Sequence, residues 1–248
     1  MTTRAVMLAA GDGGRLGHHT RALPKPLVRL NGRPLVDYTL DALVEAGVER
    51  LIVVTGYREA QVQAALRADA PPGLAVDFVS NPRFEAGASL SLRAARRLVD
   101  GEPFLLLMSD HVVSSALIRR LLAAPATRPG FAGSFVGADY LRRDPAYEDE
   151  ATRLAVDGGG LVTAIGKQLD RWQALDAGAF LLMPSVWEAV DAVAEDCELS
   201  TIFSELARRR LLAAADISGA FWYDVDTAED LAAAARAISA AAAHVPAR

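Results

Sequence analysis

A chain of 248 residues, 52% of them hydrophobic, is long enough to bury a full core as one large domain or two small ones. A formal net charge of −5 argues against nucleic acid as the main partner, and a single cysteine, Cys197, excludes an intramolecular disulfide. The opening apolar run, 5–10, is too short for a signal peptide, and no run approaches the ~20 residues of a membrane span, so the chain reads as soluble and cytoplasmic.

Ala5 to Leu8 predicts a first buried strand. It runs into the glycine loop Leu8-Ala9-Ala10-Gly11-Asp12-Gly13-Gly14-Arg15-Leu16-Gly17, and Leu23-Pro24-Lys25-Pro26-Leu27 follows. An Asn31-Gly32 turn precedes a helix with Leu35, Leu40, Leu43 and Val44 on its apolar face, ended by Gly47. Leu51 to Val54 predicts a strand buried on both faces, and 60–68 a helix. A third strand, 75–79, stops at Asn81-Pro82. After a helix over 91–99, Phe104 to Met108 makes a fourth strand that delivers Ser109-Asp110-His111. This alternation predicts an α/β protein with a doubly wound, mostly parallel sheet and ligands at the carboxyl ends of its strands.

The second half is less regular. A strand is expected over 131–136, then a polar excursion or lid over 137–150. Segments 153–156 and 161–165 flank Asp157-Gly158-Gly159-Gly160, a hairpin signal. A strand over 179–183, helices over 186–193 and 202–209, a strand over 221–225 leading into Asp226, and an Ala-rich helix over 228–242 complete the chain. No repeat or linker interrupts it, so one domain is expected.

A strand, a glycine loop, an arginine and a lysine form a combination suited to a triphosphate. Glycines bring backbone N–H groups close to an anion, and Arg15 and Lys25 add positive charge. The dinucleotide fingerprint fails, because Leu16 stands where G-x-G-x-x-G needs its third glycine, and no lysine follows in Walker A fashion. A triphosphate needs charge neutralisation, hence carboxylates for a hard divalent cation, normally Mg²⁺. Asp110 and Asp226 are the metal candidates, each with the alternative of capping the helix that follows. Asn81 and Ser89 lie beyond the third strand, where a base could dock, although loop polarity explains them almost as well. His111 reads as a local hydrogen-bonding residue.

The motifs L-A-A-G-x-G-x-R-L and P-K-P-L resemble those of the MobA-like and sugar-phosphate nucleotidyltransferases, a Rossmann-like fold of GT-A type. Ser109-Asp110-His111, Glu150-Ala151-Thr152-Arg153, Ile165-Gly166-Lys167-Gln168-Leu169, Asp176-Ala177-Gly178-Ala179-Phe180 and Trp222-Tyr223-Asp224-Val225-Asp226-Thr227 look most like the CTP:inositol-1-phosphate cytidylyltransferases. The resemblance implies a Mg²⁺-dependent enzyme that joins CTP to a phosphorylated polyol and releases pyrophosphate. It implies that Leu8, Ala9, Ala10, Gly11, Gly13 and Gly14 cradle the nucleotide, that Arg15 and Lys25 are catalytic, and that Asp110 and Asp226 hold the metal. It further implies that Lys167 grips the acceptor phosphate and Asp176 its hydroxyls, where a plain exposed lysine and a strand-opening turn are the alternatives. Residues 1–112 then form the nucleotide half and 113–248 the acceptor half.

Gly14 replaces the usual Ser or Thr of that loop, and Ala88 lies where relatives often carry Asn. Enzymes of this type are often fused to a membrane-embedded transferase, which is not found in these 248 residues. Another acceptor is therefore weighed: a sugar-1-phosphate, phosphocholine or a phosphonate. A nucleotide-binding regulator without turnover and a dinucleotide-dependent oxidoreductase are the competing classes.

Overall fold

The computed structural model describes residues 4–13, 16, 23–99, 101–141 and 151–243. Strand β1 (Arg4–Ala9) buries Ala5, Val6 and Met7 completely, as an apolar run without alternation requires. Two short strands, β2 (Arg29–Leu30) and β3 (Arg33–Pro34), form a ribbon around Asn31 and Gly32, whose φ values are 50° and 83°. Helix α1 (Leu35–Glu45) then crosses to β4 (Arg50–Thr55), and α2 (Glu59–Asp69) to β5 (Ala75–Ser80). Helix α3 (Ala88–Val99) leads to β6 (Phe104–Met108). All four long strands are parallel, in the order β5-β4-β1-β6. The winding reverses at β1, so the carboxyl ends of β1 and β6 open the crevice that such sheets use for ligands.

The chain continues through β7 (His111–Val113), α4 (Ser115–Thr127), β8 (Ser134–Asp139), β9 (Arg153–Val156), β10 (Val162–Gly166) and β11 (Ala174–Leu182). It ends with α5 (Val186–Ala192), α6 (Leu199–Arg208), β12 (Leu212–Asp216), β13 (Trp222–Asp224) and α7 (Ala228–Ala243). β11 joins the sheet antiparallel to β6, with β8 on its other edge and β12 parallel to β8. The β9–β10 hairpin pairs with the start of β11. The result is a nine-stranded mixed sheet with helices on both faces, the Rossmann-like architecture expected from the alternation. Strand side chains alternate between faces. Met7, Val53 and Leu107 pack with Leu40, Val62 and Leu117 on one side; Val6, Ile52 and Leu106 pack with Leu92, Val190 and Leu206 on the other. A third cluster joins Leu16, Leu30, Leu35, Val112 and Val225 to Ala234 of α7, which anchors the far end of the glycine loop.

Some expected boundaries move. β8 begins at Ser134, not at 131, because its pairing starts where the Ser134 N–H donates to the Leu211 carbonyl. β12 was not legible, since Leu212-Ala213-Ala214-Ala215 carries no β-branched residue; pairing with β8 makes it a strand. β11 starts at Ala174, so Asp176 lies inside the strand, not at its opening, and the register against β8 shifts between Asp176 and Phe180. Of the expected excursion, 137–139 belong to β8, and 142–150 lie outside the described residues. No helix among the described residues is long and apolar enough to cross a membrane.

Candidate functional site

Two pockets open side by side at the carboxyl ends of β1 and β6. The first is lined by Leu8, Gly11, Gly13, Lys25, Asp110 and Asp226, together with Asp12 and Ser109. Pro24, with φ −62° and ψ 149°, and Pro26 hold Lys25 in a single helical turn, and Lys25 is only 7% exposed. Gly13 explains why the two halves of the motif occur together. Its φ is +69°, and a Cβ there would lie 2.7 Å from the Lys25 Cβ, so any side chain would push the lysine out of place. Ala9 and Ala10 are buried, and the Ala10 carbonyl accepts the Tyr57 N–H, which seals the end of β1 to the loop after β4. Gly11 borders open space. Gly14 and Arg15, expected to bind the nucleotide and to catalyse, lie outside the described residues.

Lys25 Nζ donates to Asp110 Oδ2 at 2.7 Å and to Asp226 Oδ1 at 2.6 Å. The pairing of β13 with β7, together with the Val225 N–H donating to the Asp110 carbonyl, thus brings together two carboxylates that are 116 residues apart in the chain. Neither caps a helix. Ser114 Oγ takes the Leu117 N–H at the start of α4, and Thr227 and Asp230 cap α7 reciprocally at 2.8 and 3.1 Å. Burial works against the Lys25 ammonium, but the carboxylates of Asp110 and Asp226 outweigh it and raise its pKa. Burial likewise opposes the Asp110 carboxylate, yet Lys25 and His111 hold it well below the usual carboxylate range. Oxygen donors converging on a position now held by one ammonium form a donor set that suits a hard divalent cation.

The second pocket is lined by His111, Lys167, Asp176, Phe180, Phe203 and Asp224, among others. Lys167, just past the end of β10, is exposed; Asp176 sits on β11 with its Oδ1 accepting the Gly178 N–H at 2.8 Å. Phe180 and Phe203 stack at 4.0 Å between ring centroids and form an apolar wall. Burial raises Asp176 to about 7 against the Gly178 N–H, and raises Asp224 to about 6 against His111.

His111 stands between the pockets. Its Nδ1 is 2.9 Å from Asp110 Oδ1 and 3.7 Å from Asp224 Oδ1. Asp110, His111 and Asp224 each place a potential ligand atom within 4.8 Å of the others, a grouping that could hold a metal ion. Burial favours the neutral imidazole, but Asp224 and Asp110 override it and push His111 up to about 9. The folded chain therefore keeps a proton that the unfolded chain releases near 6.5. Stability is expected to be fully supported below that value and to fall as pH rises through about 9. Thermal midpoints over this range check it, and His111→Asn should flatten the fall.

The structure assigns Asn81 and Ser89 other work than the expected contact with a base. Asn81 is buried, donates from Nδ2 to Ser91 Oγ at 3.0 Å and accepts the Arg83 N–H on Oδ1. Ser89 lies inside α3, fully buried, and its hydroxyl donates to the Glu195 carbonyl. Both side chains are turned into the packing. Conversely, Asp224 was not singled out in the sequence. Its signal was the Asp224-Val225-Asp226 spacing, because extended backbone sends residues two apart to one side.

A family model of the MobA-like NTP transferase domain matches residues 5–208. The chain belongs to this family. It is 37% identical over 235 residues to the bifunctional IPC transferase and DIPP synthase of Rubrobacter xylanophilus, covering 92% of this chain and 50% of that one. It is 34% identical to the CMP-5'-(3-aminopropyl)phosphonate synthase of Streptomyces rubellomurinus, covering 92% of this chain and 37% of that one. The chain thus spans half or less of the length of these curated relatives. Among solved structures, the inositol-1-phosphate CTP transferase from T. maritima superposes with a TM-score of 0.82 at 23% identity, covering 99% of this chain and 98% of that one.

Proposed function

We propose that this chain transfers the cytidylyl group of CTP to a phosphorylated polyol of the inositol-1-phosphate type and releases pyrophosphate. The observation that carries the reading is the adjoining of two pockets across Asp110 and His111, one built on Lys25 and the glycine loop, the other on Lys167 and Asp176. An oxygen of the acceptor phosphate attacks the α-phosphorus of the triphosphate in line; the bond from the α-phosphorus to the bridging oxygen breaks, and pyrophosphate leaves with the electron pair. The attacking phosphate is already ionised, so no general base is needed. Asp110 and Asp226 would hold Mg²⁺, which supplies charge neutralisation on the phosphates when bound. Lys25 and Arg15 bind the triphosphate, Lys167 offsets the repulsion between the two phosphates, and Asp176 accepts hydrogen bonds from acceptor hydroxyls.

A second acceptor class has a specific observation behind it. The relative from S. rubellomurinus is named for a CMP-phosphonate, and Asp176 and Asp224 could pair with an ammonium as well as with hydroxyls. The test is a matrix of CTP, UTP, ATP and GTP against inositol-1-phosphate, glucose-1-phosphate, phosphocholine and 3-aminopropylphosphonate, read by pyrophosphate release. The highest kcat/KM is expected for CTP with inositol-1-phosphate; turnover of the phosphonate alone would transfer the reading to that class. Lys167→Ala is expected to raise the acceptor KM roughly tenfold to a hundredfold, the value of one charged hydrogen bond, while CTP binding measured alone stays close to wild type. Asp176→Ala should harm a polyol acceptor more than phosphocholine, which offers no hydroxyl.

A further inference from the structure

We propose that His111 is the positioning residue that aims Asp110 at its cation, and that Gly178 exists to leave the imidazole its seat. This rests on the reading of Asp110 as a metal ligand but not on the identity of the acceptor.

The geometry runs from Lys25 through Asp110 and His111 to Gly178. Asp110 uses Oδ2 for Lys25 and Oδ1 for His111 Nδ1, so the two contacts together fix the rotation of its carboxylate. The ionised carboxylate can only accept, so Nδ1 carries the hydrogen. His111 is itself held from behind: its carbonyl accepts the Thr39 hydroxyl at 2.9 Å, and β7 pairs with β13 with His111 opposite Asp224. On the far side of the ring is Gly178. A Cβ built there would lie 2.2 Å from Nε2, 2.5 Å from Cδ2 and 2.9 Å from Cε1, so it would collide with one whole edge of the imidazole. Gly178 has φ +65°, within the register shift of β11, and Asp176 Oδ1 holds its N–H. Strand β11 therefore carries both an acceptor-pocket carboxylate and the notch that seats His111. A residue that merely filled this space would need no particular nitrogen toward Asp110. A positioning residue needs a donor at Nδ1.

That difference is testable without turnover. An asparagine amide reaches the place of Nδ1, whereas a glutamine amide reaches toward that of Nε2. Binding of Mn²⁺ in the presence of CTP and the absence of acceptor, followed by electron paramagnetic resonance, is to be compared for wild type, His111→Asn, His111→Gln, His111→Ala, Gly178→Ala and the double variant His111→Ala/Gly178→Ala. Partners that orient a ligand are worth roughly 10–100-fold in metal affinity. His111→Gln and His111→Ala are expected to lose affinity on that scale, and His111→Asn to recover most of it. Gly178→Ala should lose as much as His111→Ala, and the double variant no more than either. The half-saturating Mg²⁺ concentration in turnover should follow the same order. Wild-type affinity in His111→Gln, or a Gly178→Ala loss that adds in full to that of His111→Ala, would overturn the proposal while leaving the nucleotidyl-transfer reading intact. A wild-type chain that binds no Mn²⁺ with CTP would overturn both. Should His111→Ala fail to fold, the asparagine–glutamine comparison decides alone.

Discussion

Replacing Lys25 by alanine is expected to lower kcat by about 10²–10³, the loss seen when one preorganised donor to developing charge is removed. Lys25 is the one described cation that touches both Asp110 and Asp226, and it lines the pocket under the glycine loop. In the proposed reaction charge grows on the departing pyrophosphate, and an ammonium held in advance stabilises that charge without rearrangement. The same variant leaves two largely buried carboxylates facing each other, with side-chain exposures of 28% and 12%. Breaking a buried pair in this way costs about 3–5 kcal/mol. Thermal unfolding in EDTA should show the loss, and millimolar Mg²⁺ should restore part of it, since a divalent ion can take the place of the ammonium. Wild-type turnover in Lys25→Ala would mean that the loop does not hold the triphosphate.

Asp110→Asn and Asp226→Asn form the second large effect. Each is expected to lower kcat roughly 10²–10³-fold and to raise the Mg²⁺ concentration needed for half-maximal rate. Asp226→Asn keeps an oxygen that can accept from Lys25, so its thermal midpoint should move much less than its rate; in Asp110→Asn the amide nitrogen must face either Lys25 or the His111 Nδ1–H, so its midpoint should fall as well. On the proposed reading the two residues act on one ion, so the double variant should lose far less than the product of the single losses. Rates within a few-fold of wild type at the wild-type Mg²⁺ requirement, in either variant, would exclude that residue as a ligand.

The site was legible in the sequence wherever a residue type answers a local demand. Gly11, Gly13 and Lys25 stand out because a loop near an anion needs backbone freedom and charge, and Asp110 and Asp226 because each follows a strand that ends at the crevice. The parallel strands were legible from apolar runs such as Leu51 to Val54. What was hidden depends on contacts between distant segments. Nothing near Gly178 in the chain indicates that an imidazole presses on it. Asn81 and Ser89 looked available because their partners, Ser91 Oγ and the Glu195 carbonyl, are matters of folding and not of pattern. The strand over Leu212–Asp216 draws its identity from its neighbour β8, not from its own alanines.

The position of β11 carries a kinematic consequence. Ala179 to Leu182 pair with Leu107 to Phe104, so the strand bearing Asp176 is laddered directly to β6, which ends at Met108 and leads into Asp110. A lobe-on-lobe closure between the two halves of the chain would have to tear this ladder in the middle of the sheet. The spacing between the two pockets is therefore a lattice constant of the fold, not an angle set by a hinge. On the proposed reading, acceptors of different length would be accommodated by side chains and loops at the rim, while the line between the pockets stays fixed.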